Sequence, residues 1–178
     1  MLGRLDIVIF RFVNNTLANP VFDKLMPLVT KLGEGVVIFC LAVILMILCR
    51  KDKKLSGVLL LAGLTATYFG TDHLKGFFEV PRPFMSLDHV RLLATKVSGY
   101  SFPSGHATTA FMAAAIASRY FRSATAVWMG LAALVAFSRL YIGVHYASDV
   151  IFGALVGLLI GYILIKASDN NGKHLNSN

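Results

Sequence analysis

Charge is what this chain is short of. Only 15% of its 178 residues are Asp, Glu, Lys or Arg, where an ordinary soluble domain carries about 25%. The balance is 56% hydrophobic, with a mean hydropathy of +0.68, which excludes a typical soluble domain and points to the bilayer. Acids are scarcer still: nine Asp and Glu against 17 Lys and Arg, a net charge of +8. The cations flank apolar runs and do not cover one polar face, so no nucleic-acid partner is expected. Anionic head groups and an inward bias of positive loops fit them better. The two cysteines, Cys40 and Cys49, share one apolar run. They provide neither a disulfide framework nor a metal set and read as free, buried thiols. Asp72, Glu79 and Asp88 are scattered, so neither a metal nor a cofactor is expected.

Apolar segments divide the chain. Leu5 to Leu17 is weakly amphipathic, short for a crossing, and ends at Asn19-Pro20; it reads as an interfacial helix. Arg4, Asp6 and Arg11 interrupt it, so no cleavable signal is expected. Spans follow at about Met26–Cys49, Leu55–Asp72, Ser104–Arg119, Ala124–Phe137 and Val150–Ile165. Gly153, Gly157 and Gly161 recur every fourth residue in the last of them, a pattern that lets membrane helices approach closely. The fold expected is all-α: a polytopic membrane helix bundle of about five to six transmembrane helices. Residues 1–166 form one domain, and 167–178 a polar, disordered cytoplasmic tail.

Loop charges orient the spans. Arg50, Lys51, Lys53 and Lys54 follow the first, Arg119 and Arg122 the third, and Lys166 and Lys173 the fifth. With five spans these basic regions share one side, the cytoplasmic one. The remaining polar clusters then face outward, at the extracytoplasmic face of a plasma or inner membrane.

Those clusters are Lys75 to Pro83, Pro103 to His106 and Ser138 to Asp149. Ionisable residues at the ends of apolar spans mark a functional site by default. Lys75, Arg82 and Arg139 supply cations, and each Arg can grip two oxygens of a phosphate. Ser104 offers a hydroxyl, and the N–H groups of Gly105 and His106 open a helix, where free donors and the dipole favour an anion. His145 and Asp149, four apart, share a helical face. A carboxylate on one ring nitrogen leaves the other free to attack phosphorus. His106, from another span, can protonate the leaving oxygen and later activate water. Outside the pattern, His73 reads as interfacial. His89, Arg91 and Lys96 read as solvated loop residues within reach of a head group. Phe77, Phe78, Phe84 and Met85 suit a lipid entrance or interfacial packing.

In order and spacing these residues resemble the type 2 phosphatidic acid phosphatase superfamily. Its pattern is Lys, six residues and Arg-Pro; Pro-Ser-Gly-His; then Ser-Arg, five residues, His, three residues and Asp. The chain matches with Lys75, Arg82 and Pro83; Pro103, Ser104, Gly105 and His106; and Ser138, Arg139, His145 and Asp149. The resemblance implies a membrane lipid phosphatase with His145 as nucleophile, Asp149 as its orienter and His106 as general acid. Lys75, Arg82, Ser104, Gly105 and Arg139 would bind the phosphoryl group. Undecaprenyl diphosphate is the first substrate to expect; phosphatidylglycerol phosphate, phosphatidic acid and lipid A phosphate are the alternatives. Vanadium haloperoxidases share the pocket pattern but are large soluble proteins, which five apolar spans oppose. A non-catalytic phosphate binder would not need His145, Asp149 and His106 together. The partners expected are thus a lipid phosphate and the bilayer; oligomeric state is open.

Overall fold

The structure is a computed structural model that describes residues 3–94 and 97–175. Its helices are α1 (Arg4–Arg11), α2 (Pro20–Val29), α3 (Gly35–Leu48), α4 (Lys51–Phe78), α5 (Pro83–Ser86), α6 (Gly105–Tyr120), α7 (Thr125–Tyr141) and α8 (Ala147–Leu175). No strand occurs among the described residues. Among the described residues, two helical stretches are long and apolar enough to cross a membrane, Arg122–Tyr141 and Ala147–Asn170. A third follows if Pro20–Gly33 and Gly35–Leu48, bent by 56° at their junction, form one broken span. By length and composition, the described residues thus supply two or three of the expected five to six crossings. Helix α4 opens on a run of lysines and ends on Asp72, His73 and Lys75, and α6 has only 16 residues, so neither meets a strict apolar criterion.

Local chemistry sets the boundaries. Asn19 caps α2 by accepting from Val21 N at 3.1 Å and Phe22 N at 2.9 Å, with Pro20 at the first helical position. Helix α7 runs two residues past Arg139 and stops at Gly143. There φ is +85°, and an added Cβ would lie 2.5 Å from the carbonyl oxygen of Arg91; only glycine fits such a turn. Helix α8 continues to Leu175, so the polar stretch from 167 begins as helix. Asp169 holds it by accepting from Arg119 at 3.1 Å. Residues 176–178 lie outside the described set. Cys40 and Cys49 are free, yet neither is buried: Cys40 is exposed on α3, as an apolar residue can be where the surrounding medium is apolar too.

Helix α6 is the centre, with α4, α7 and α8 packed around it. The glycine ladder of α8 explains the closest approach. A Cβ at Gly153 would meet Ser104 O at 2.7 Å, one at Gly157 would meet Thr108 O at 2.2 Å, and one at Gly161 would meet Ala115 Cβ at 2.8 Å. Gly157→Ala is therefore expected to force α6 and α8 apart, at a cost of about 1–3 kcal/mol. Because α6 opens on Ser104 and His106, activity should fall with thermal stability. A thermal melt beside an activity assay checks this; a melt unchanged from wild type would contradict the packing.

The basic segments converge at one end. The Lys53 ammonium sits 4.6 Å from the Phe121 ring centroid, and Arg119 pairs with Asp169. The three polar clusters meet at the other end.

Candidate active site

A cleft of about 520 Å³ opens there, lined among others by Lys75, Arg82, Gly105, His106, Arg139 and His145, together with Thr30, Lys31 and Glu34. All three clusters thus share one cavity, each delivered by a helix end. Lys75 lies in the last turn of α4, and Glu79, at φ +48°, turns the chain out of that helix. Ser104 is the N-cap of α6 but makes no side-chain cap bond. Its Oγ is fully buried and has no hydrogen-bond partner. Buried hydroxyls are rarely left unpaired. This one stands beside the first-turn N–H groups of α6, where free donors and the helix dipole favour an anion.

Arg139 is buried in the last turn of α7. Its Nη1 donates to Thr30 Oγ1 at 2.7 Å, while its Nε has no partner. Arg82 is occupied differently from the expectation. Its Nε donates to Gly99 O at 2.9 Å, its Nη2 to Ser98 O at 3.0 Å, and its Nη1 to Val144 O at 3.0 Å. It staples the outer loop to the segment before α8, and the edge nearest the cleft lies 3.4 Å from His145 Nε2. Burial disfavours its charge, and Asp149 partly offsets this.

His145 and Asp149 do meet, but not as a helical pair. His145 lies in the loop between α7 and α8, and Asp149 is the third residue of α8. Its Oδ2 accepts from the backbone N–H of Tyr146 at 2.8 Å, as an acid at that position does in a capping box. The same oxygen lies 3.3 Å from His145 Nδ1. We assign the ring proton to Nδ1 on this geometry, which leaves the Nε2 lone pair facing Arg82 and the cleft. His145 is 2% exposed. Burial first, then the charges of Arg139, Arg82 and Lys75, push it well below the ordinary value of 6.5, so it is uncharged at neutral pH.

Several residues outside the family pattern support the site. Ser101 Oγ donates to Asp149 Oδ2. Asp6 accepts from Ser148 N at 2.9 Å and Ser148 Oγ at 2.5 Å, an acid placed at the start of α8 where the helix dipole favours one. Arg91, read from the sequence as a solvated residue, instead donates to Asp23 at 2.6 Å and to Asn14 O at 3.1 Å. Its backbone N–H reaches Asn14 Oδ1 at 2.9 Å, so it anchors the outer loop to the N-terminal helices. His73 and His89 are exposed. Phe77 and Met85 are exposed apolar residues beside the first cluster. Lys96 lies outside the described residues. Among the described residues, no three His, Cys, Asp or Glu side chains converge in a way that would hold a metal ion.

An all-helical membrane scaffold that closes cations and two histidines around one cleft defines a membrane phosphatase. The chain belongs to the PAP2 superfamily, whose model matches residues 56–173. A lipid A 4'-phosphatase of Porphyromonas gingivalis is 31% identical over 162 residues, covering 85% of this chain and 68% of its own. An undecaprenyl-diphosphatase of Bacillus subtilis is 33% identical over 160 residues, covering 85% and 77%. The crystal structure of LpxE from Aquifex aeolicus matches with a TM-score of 0.83 and 33% identity, over 92% of this chain and 96% of that one.

Proposed function

We propose that this protein removes the terminal phosphate of undecaprenyl diphosphate at the extracytoplasmic face of the plasma membrane, through a phosphohistidine. The observation that carries this is the cleft that brings Lys75, Arg139, His145 and the start of α6 at Gly105 and His106 together, with the unpaired Ser104 hydroxyl at the N-cap of that helix. The phosphoryl oxygens rest on the Ser104 hydroxyl, the Gly105 N–H, Lys75 and Arg139. Arg82 lends its charge through Nη1, which donates to Val144 O and also lies nearest His145 Nε2. The His145 Nε2 lone pair attacks the terminal phosphorus as the bond to the bridging oxygen breaks. His106 gives that oxygen its proton, and the lipid monophosphate leaves. His106 then takes a proton from water, whose oxygen attacks phosphorus. The P–N bond breaks, inorganic phosphate departs, and His145 regains its lone pair. Charge stabilisation comes from fixed side-chain cations and helix N–H donors.

Similarity to an undecaprenyl-diphosphatase supports the diphosphate reading, as does a further cation, Lys31, lining the same cleft to meet a second phosphate. A glycerolipid or lipid A phosphate is the competing substrate, favoured by the likeness to a lipid A 4'-phosphatase. The test is phosphate release by the purified protein in detergent with EDTA present, on undecaprenyl diphosphate, phosphatidylglycerol phosphate and lipid A. Release from the first at the highest kcat/KM, undiminished by EDTA, is expected. A strict metal requirement would overturn the mechanism, and preference for another lipid would overturn the substrate.

The orientation rests on loop charge, since Lys53, Arg119 and the α8 end gather opposite the cleft. A protease site placed after residue 175 should be cut in inverted vesicles but not in intact cells. Cleavage from outside would reverse the assignment.

A further inference from the structure

Ser101 lies outside the Pro-Ser-Gly-His motif and outside every residue set read from the sequence, yet it is fully buried against the dyad. Its backbone N–H donates to Val80 O at 2.7 Å, which fixes the loop that carries it beside the turn after α4. Its Oγ reaches two members of the site. The hydroxyl hydrogen goes to Asp149 Oδ2, because a carboxylate can only accept. That leaves the Ser101 oxygen with its lone pairs, and His145 Nδ1 lies 3.3 Å from it, the same distance as from Asp149 Oδ2. Ser101 cannot donate to both. With its proton committed to Asp149, it accepts, and the Nδ1–H of His145 is shared between a carboxylate and a hydroxyl oxygen.

We infer that Ser101 is a positioning residue for the nucleophile: it completes a Ser101–Asp149–His145 unit that holds the proton on Nδ1 and aims Nε2 into the cleft. This rests on the reading of His145 as nucleophile given above. Two acceptors on one side of the ring fix its plane as well as its tautomer; Asp149 alone, with Oδ2 also held by Tyr146 N, would leave the ring freer to rotate. Tautomer and orientation set by the partner of the second ring nitrogen are the general means by which a histidine is made ready for work. Ser101 stands five residues before His106, so the loop that carries the brace of one histidine leads directly into the helix that carries the other.

The test compares Ser101→Ala, Ser101→Val and Ser101→Thr with wild type and with His145→Ala. Valine and threonine add nearly the same bulk at a packed position and differ in the hydroxyl, so steric damage is common to both. Ala and Val are expected to lose kcat on the order of 10- to 100-fold, the range for removing a partner that orients a working imidazole. KM and the inhibition constant for vanadate, a probe of the phosphate seat, should stay within about twofold, well inside one tenfold step in affinity. Thr should retain severalfold more kcat than Val, and the rate of phosphoenzyme formation in single-turnover labelling should follow the same order. Equal kcat for Thr and Val, or a loss that tracks weakened vanadate binding, would overturn the proposal. If His145→Ala retains turnover, the nucleophile assignment itself falls, a result separate from any outcome at Ser101.

Discussion

Replacing His145 by alanine is expected to remove turnover by about 10⁴-fold or more, the loss seen when a covalent catalyst is deleted from an otherwise intact site. No neighbour can substitute for it. Ser104 Oγ is buried at the start of α6 without a base within hydrogen-bond reach. His106 comes from another helix and would have to exchange acid chemistry for attack. Meanwhile the groups proposed to bind the phosphoryl group, Lys75, Arg139 and the first turn of α6, remain in place, so vanadate should still bind. Because His145 is almost wholly buried, a thermal melt has to show that the variant is folded. The direct measurement is rapid quench with terminally labelled substrate. Wild type should yield a phosphoenzyme that is stable to base and lost in acid, and the alanine variant none. A variant that keeps turnover within tenfold of wild type would remove the phosphohistidine from the mechanism.

Much of this site was legible before any geometry was known, because charge in an apolar sequence is expensive and so carries meaning. Of the residues that reasoning and the motif pattern single out, Lys75, Arg82, Gly105, His106, Arg139 and His145 line one cleft, Asp149 lies against His145, and Ser104 is the N-cap of α6. The helical class and the glycine ladder of α8 were equally readable, since backbone satisfaction in hydrocarbon permits little else. What sequence could not supply was where helices end. His145 and Asp149 were expected on one helical face, but α8 begins at Ala147, and the pair meets through a capping geometry. Arg82 was expected to grip phosphate with two N–H groups, yet three carbonyls from distant loop segments take most of its donors. Ser101, Asp6 and Asn14 escaped notice for the same reason. Each is a short polar residue whose partner lies 48, 142 or 77 positions away, and spacing along a chain holds no record of such meetings. A weak signal existed for Ser101 only: a small polar residue in the loop that leads into the Pro-Ser-Gly-His motif.

Arg139→Ala should be the second most damaging change, lowering kcat by about 10²- to 10³-fold, or about 2.7–4 kcal/mol of transition-state stabilisation. The guanidinium is buried, so its charge acts in a poorly screened environment. Thr30 holds one Nη1 donor while Nε remains unpaired, which orients the fork before substrate arrives. Lysine at this position keeps the charge but not the fork. It can bond Thr30 or a phosphoryl oxygen but does not match the geometry of both, so Arg139→Lys should fall between wild type and alanine. Glu34 sharpens the test, since it lines the same cleft and acts on Arg139 by charge. Once Arg139 is gone, that carboxylate faces an incoming phosphate with one cation fewer in the cleft to offset it. Glu34→Gln should therefore recover part of the activity lost in Arg139→Ala, while changing the wild-type background less. Measured as a double-mutant cycle on kcat/KM, the coupling between positions 34 and 139 should be non-additive in that sense. If Arg139→Ala stays within about threefold of wild type, too small a loss for a donor in a preorganised charge site, the phosphoryl group binds elsewhere in the cleft. If the alanine loss is large but Glu34→Gln returns nothing, Arg139 acts on the phosphate alone and Glu34 belongs to the rim.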